Sequence, residues 1–136
     1  MAKFSAEYEK GVQMRGKLFG PAAIARGSVA SEVAPFMSQL SNEVLFGKIW
    51  ARTDKLDVRS RRLLTLAALI SVRSTGELKT HMKGALRDSL TREELGEVIT
   101  HLAFYLGWPT AVHAVRVARD ALAESEAEGT IKPAKK

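Results

Sequence analysis

Apolar residues recur along this chain at spacings of three and four, the repeat of a helix with one buried face, and almost nowhere alternate as a half-buried strand would. No stretch reads as a hairpin closed by an Asn-Gly or Asp-Gly turn. The pattern predicts an all-α fold of about six helices, over 4–18, 31–51, 57–73, 76–88, 92–107 and 110–127. Gly20-Pro21 and the Ala/Gly/Ser-rich stretch to Ser31 read as a loop or a broken short helix. The residues after Glu128, Gly-Thr-Ile-Lys-Pro-Ala-Lys-Lys, read as a frayed end. The expected organisation is one helical domain over 1–128 and a flexible basic tail over 129–136, with no internal repeat.

Three boundaries carry physical detail. Thr91-Arg92-Glu93-Glu94 is a capping box, in which the threonine hydroxyl serves the amide three residues on and Glu94 reaches back. Trp108-Pro109 should end one helix and open the next, because proline disfavours a helical conformation before it and suits the first position of a helix. Asp57 can cap the helix through Arg59–Ile70, whose Leu63, Leu64, Leu66, Ala67, Ala68, Leu69 and Ile70 are apolar nearly all round. That helix should lie at the centre of the domain or at a subunit contact.

Composition narrows the function classes. With 46% hydrophobic and 26% charged residues the chain has the balance of a soluble globular domain. It contains no cysteine, which removes disulfides, thiol redox chemistry and cysteine nucleophiles together. The first ten residues carry charges where a signal peptide needs an apolar region, and the longest apolar run, Leu66 to Ile70, is far short of a membrane span. A cytoplasmic protein with no membrane partner is expected. Twenty-one Lys and Arg against 15 Asp and Glu give a formal charge of +6. The basic residues are dispersed apart from Arg59, Arg61 and Arg62 and the lysines Lys132, Lys135 and Lys136, with no aromatic platform among them. This argues against nucleic acid and leaves anionic small molecules as the expected ligands.

No Gly-rich phosphate loop, nucleophile elbow, His-Glu-x-x-His or calcium loop is present, and no metal site is expected. Glu77 and His81, four apart, share a helix face and could form a proton-transfer pair. Glu77 could equally close a capping box with Ser74, and His81 could be an ordinary partly buried histidine. His101, Tyr105 and Trp108 fall along one side of the 92–107 helix as a pocket wall would, or as core aromatics near the helix corner. His113, on the next helix, has no supporting pattern. Arg61 and Arg73 flank the apolar helix and could clamp a carboxylate; Arg73 could also be a solvated charge at a helix C-terminus.

Read together, the segments Leu56–Ile70, Glu77-Leu78-Lys79-Thr80-His81, Leu90–Leu95 and His101–Pro109 closely resemble the carboxymuconolactone decarboxylase family. Upstream, Tyr8, Gly11, Arg15, Gly20, Phe36 and Phe46–Arg52 resemble the N-terminal part of its γ-carboxymuconolactone decarboxylases. The alkylhydroperoxidase-like branch carries Cys-x-x-Cys before its histidine. Here Ser74 and Glu77 stand at those positions, so dithiol peroxidase chemistry is excluded. The resemblance implies an all-helical fold assembling into trimers or hexamers, with active sites close to subunit interfaces. It also implies cofactor-free decarboxylation of a carboxylated butenolide in aromatic-acid catabolism.

In that reaction the electrons left by carbon dioxide delocalise through the ring alkene onto the lactone oxygen. The enzyme must hold carboxylates, stabilise the oxyanion and protonate carbon. The resemblance selects the positions and chemical type suggests the roles: Arg61 and Arg73 for the carboxylates, His81 oriented by Glu77 for the proton, and His101 or Tyr105 for the oxyanion, with Trp108 in the pocket wall. Phe46 stands where the decarboxylases suggest tryptophan, and Arg62 adds a cation beside Arg61; both features fit a different substrate. The alternatives are a sibling enzyme for another lactone or β-keto acid, and a non-enzymatic helical binding module.

Overall fold

Ser5 opens the first helix, its hydroxyl accepting the Tyr8 amide at 3.1 Å, and Gly20, at φ 97°, closes it in a conformation that favours glycine. In the computed structural model, which describes residues 4–26 and 30–132, every regular element among the described residues is helical, as the apolar spacing predicts. The chain divides into two compact units, 1–58 and 59–136.

The first unit contains α1 (Ala6–Phe19), α2 (Pro21–Arg26), α3 (Ala30–Val33), α4 (Pro35–Leu40) and a π-helix over Ser41–Trp50. The expected single helix over 31–51 is therefore interrupted. Pro35 lacks an amide and pushes Ala34 to φ −133°, ψ 71°, ending α3 there. From Ser41 the chain winds in the wider π form, whose i→i+5 bonds leave no distinct mark in an apolar pattern. Helix α1 lies against the π-helix with almost no space between backbones. A Cβ on Gly11 would stand 1.8 Å from the Asn42 carbonyl oxygen, and one on Gly47 would stand 2.1 Å from that of Glu7. Leu18, Phe46 and Trp50 form the core of this unit, with Met14, Phe19 and Val58 packed on it. Arg15 ties it together by donating to Asn42 Oδ1 at 3.1 Å and to the Ala23 carbonyl at 3.2 Å.

The second unit holds α5 (Val58–Ser71, but for its first residue), α6 (Gly76–Asp88), α7 (Arg92–Leu106) and α8 (Trp108–Ala127). Its core is built from Leu66 and Ile70 of α5, Leu78 and Met82 of α6, Leu95 and Ile99 of α7, and Ala114, Val117 and Ala121 of α8. Helix α5 is less uniformly buried than its composition suggests. Its buried stripe is Arg62, Leu66 and Ile70, four residues apart, while Leu64 is 61% exposed.

The capping box forms as read: Thr91 Oγ1 accepts the Glu94 amide at 3.1 Å, and Glu94 accepts the Thr91 amide at 2.9 Å. The corner between α7 and α8 sits one residue earlier than expected. Gly107, at φ 92°, caps both helices, Trp108 is already helical and Pro109 lies in the first turn of α8. Lys79 and Lys83 of α6 reach Glu124 of α8 at 2.7 and 3.0 Å, and Lys83 also reaches Glu128 at 2.7 Å. Within the segment expected to fray, the Thr130 amide donates to the Ser125 carbonyl at 3.0 Å, Ile131 packs on the core, and the Lys132 carbonyl accepts from Arg92 at 2.7 Å. Residues 133–136 lie outside the described residues. Among the described residues no helix is long and apolar enough to cross a membrane, and no cluster of three His, Cys, Asp or Glu could hold a metal ion.

The α1 contact yields a direct test. Gly11→Ala or Gly47→Ala must force two backbones apart, and each should destabilise the protein by about 2 kcal/mol or more in urea titrations. Gly96→Ala, at a helical position with open space around it, should cost nothing.

Candidate active site

The apolar stripe of α5 begins with a charge. Arg62 is 2% exposed, and its Nη2 donates to Asp88 Oδ1 at 3.3 Å, at the end of α6. Burial pulls the guanidinium below its ordinary proton affinity, and Asp88 works against that pull. On α6, His81 is half-buried close to the same charge. Burial first, and the Arg62 charge second, bring its imidazole from 6.5 down to about 4. His81 is therefore neutral at pH 7, ready to accept a proton or hydrogen-bond an anion rather than act as a standing imidazolium. Sequence reasoning counted Arg62 only as an additional cation. The signal that finds it is its register, four residues before Leu66 on the buried stripe.

Between α5 and α6 the chain turns through a Schellman motif. The Ser74 amide donates to the Leu69 carbonyl and the Arg73 amide to the Ile70 carbonyl, each at 3.0 Å. The residue such a motif places in the left-handed region is usually glycine, but here it is Arg73, at φ 54° the one non-glycine with positive φ among the described residues. Its side chain is exposed. Strain of this kind persists only where the surrounding structure holds it, and it clusters at functional sites.

The next helix does not start with the capping box that Ser74 and Glu77 suggest. Thr75 is its N-cap, without a side-chain cap bond, which puts Glu77 one position too early to reciprocate. Glu77 is exposed and makes no hydrogen bond or ion pair among the described residues, so it does not orient His81 in this state. The Thr75 hydroxyl instead meets His113 Nε2 of α8 at 3.2 Å.

On α7, His101 and Tyr105 lie with ring centroids 4.9 Å apart, while Trp108 stands edge-on to Phe104 at 6.5 Å. The predicted line of three thus resolves into two pairs. None of these aromatics belongs to the core: Phe104, Tyr105 and Trp108 are 81%, 75% and 66% exposed. His101 also lines an open groove of about 470 Å³ between α5 and α7, floored by Leu63, Ala67, Val98 and Leu102. Arg59 joins it there, donating to Glu94 Oε1 at 2.7 Å and to the Ser89 carbonyl at 3.2 Å. The Thr91 amide and the Arg59 charge hold the Glu94 carboxyl below its usual range. Arg61, Arg73, Glu77 and His81 lie outside the groove lining, and Arg61 is half-buried. The arrangement offers a neutral imidazole beside a buried cation, an exposed arginine on a strained turn, and a second imidazole tilted against a phenol. These are groups suited to holding carboxylates and moving a proton.

A sequence model of the carboxymuconolactone decarboxylase family matches residues 35–120, and the chain belongs to that family. The chain is 27% identical over 128 residues to nitrosuccinic acid decarboxylase of Metarhizium robertsii, covering 92% of this chain and 87% of the relative. It is 26% identical over 116 residues to 4-carboxymuconolactone decarboxylase of Acinetobacter baylyi, covering 83% and 84%. Both relatives bear the names of decarboxylases, which supports a decarboxylase-family role.

The buried pair sets a pH dependence. Because the folded imidazole titrates near 4 and the unfolded one near 6.5, the unfolded chain binds the extra proton between those values. Stability intact above pH 6.5 should then fall by about 3 kcal/mol on the way to pH 4. Urea titrations of wild type against His81→Asn should show this loss as a difference between the two, separate from carboxylate titration. By NMR, Arg62→Met should raise the His81 pKa without restoring 6.5, since burial, the larger cause, stays in place. Arg73→Gly should relieve the left-handed strain and raise stability by about 1 kcal/mol.

Proposed function

We propose that this chain decarboxylates a carboxylated butenolide of the 4-carboxymuconolactone kind, without a cofactor, in cytoplasmic aromatic-acid catabolism. The observation that carries the reading is the family match over 35–120, a span that includes every candidate residue from Arg61 to Trp108. The chemistry needs no added electron sink, because the substrate carries one. As the carbon–carboxylate bond breaks, its electron pair moves through the ring alkene to the lactone carbonyl oxygen, and a proton is then delivered to carbon.

Arg73 and Arg61 are the candidates to hold the carboxylates, and His101 or Tyr105 the candidates to hydrogen-bond the oxyanion, with Trp108 beside them. The neutral state of His81 adds a condition to its role. Negative charge arriving near Arg62 offsets the electrostatic, smaller part of what depresses the imidazole, so substrate binding raises its proton affinity toward that of a working acid. Glu77, one turn earlier on α6, is the candidate to orient the imidazole once substrate is bound.

The relative acting on nitrosuccinic acid favours a second reading, a sibling enzyme with another substrate. A nitro group beside the scissile bond accepts electrons as a lactone or a β-keto group does, so the same cations and proton source serve each. In either case we infer that the chain assembles as a homotrimer or homohexamer. The exposed Phe104, Tyr105 and Trp108 form the kind of apolar surface that oligomers cover.

The test is a spectrophotometric assay on 4-carboxymuconolactone, with chelator present, for wild type and His81→Ala. Turnover that His81→Ala reduces about 100-fold or more supports the butenolide reading. A folded protein that leaves this lactone untouched but releases carbon dioxide from nitrosuccinate or a β-keto acid supports the sibling reading instead.

A further inference from the structure

His113 is the one histidine that no sequence pattern supports, yet the structure gives it a single definite contact. Its Nε2 lies 3.2 Å from Thr75 Oγ1, across 38 residues of chain, joining the first turns of α8 to the N-cap of α6. Its Nδ1 is buried and meets no hydrogen-bond partner among the described residues, so Thr75 is the only polar group there that the ring serves. A buried acceptor left unmet costs less than a buried N–H left unmet, which places the ring proton on Nε2, donated to Thr75. Thr75 in turn does not spend its hydroxyl on capping α6.

The residue before this pair but one is Arg73, held in the left-handed region by two backbone bonds of the Schellman turn. Those bonds fix the turn from the α5 side only. The His113–Thr75 bond fixes it from the other side, at the point where the chain enters α6. We propose that His113 is a positioning residue: through Thr75 it braces the 72–75 turn, so that Arg73 presents its guanidinium to the substrate carboxylate from a fixed backbone. This rests on the reading of Arg73 as a carboxylate ligand. An arginine on a loosened turn can still carry its charge, but it loses the orientation that two parallel hydrogen bonds to a carboxylate require.

The experiment breaks and repairs the brace at both ends. His113→Leu and Thr75→Val remove the bond; His113→Gln and Thr75→Ser keep a donor and a hydroxyl in place. Amide hydrogen exchange at Arg73 and Ser74 should accelerate in the first two variants and return toward wild type in the second two. KM for 4-carboxymuconolactone, or for nitrosuccinate if only that is turned over, should rise about tenfold in the first pair with kcat little changed. The rise should be recovered in the conservative pair, and His113→Leu combined with Thr75→Val should be no worse than either alone. Unchanged exchange in the broken variants overturns the brace, whatever Arg73 does. Accelerated exchange together with a normal KM in Arg73→Gly overturns the role of Arg73, and the proposal with it. A loss of kcat that tracks melting temperature in all four variants assigns the pair to folding alone and also overturns it.

Discussion

A full positive charge sealed into an apolar stripe is the constraint around which the second unit is arranged. Withdrawing an ion from water costs several kcal/mol, and the contact with Asp88 at 3.3 Å, a carboxylate half in solvent, returns only part of that. Arg62 therefore imposes terms on whatever lies near it. The most consequential neighbour is His81, which its own burial first, and the Arg62 charge second, keep unprotonated. On the proposed reading, an imidazole that begins neutral gains proton affinity as negative charge arrives near Arg62, which makes its role conditional on its ligand.

The turn that follows α5 shows the same economy at the level of backbone. A Schellman motif with glycine would be more comfortable, yet an arginine occupies the left-handed position. That side chain is exposed and close in sequence to the start of α6, while the Leu69 and Ile70 carbonyls hold the backbone beneath it and Thr75, two residues on, meets His113. Strain and charge thus coincide at one residue.

Much of this architecture is legible in the residues, and the failures have identifiable causes. The helical class, the capping box at Thr91 and the span of α6 follow from spacing and side-chain chemistry that act locally. The division of 31–51 was obscured because apolar residues continue on both sides of Pro35, and because a π-helix shows no separate apolar period. The corner at 107 was misplaced by giving proline the weight that glycine carries. At the site, sequence picks out His81, Glu77, Arg73 and the α7 aromatics by type and resemblance, but not their environments. That Glu77 is exposed, that Tyr105 and Trp108 stand outside the core, and that His113 meets Thr75 are facts about tertiary packing. Arg62 is the intermediate case: periodicity puts it inside, but charge argues against believing it.

The lysines and glutamates between α6 and α8 look like ordinary surface pairs, and as contributors to stability exposed pairs of this kind count for little. Their arrangement nevertheless works as a ruler. Lys79 meets Glu124, and Lys83 meets both Glu124 and Glu128, so charges spaced by one helical turn on α6 face charges spaced by one turn on α8. If α8 slid along α6 by a single turn, about 5.4 Å, fewer of these three contacts could form. The same slip would carry His113 out of reach of Thr75. Contacts one and two turns into α6 and near the end of α8 thereby share one register with the Thr75–His113 contact, so a single alignment of the two helices serves both.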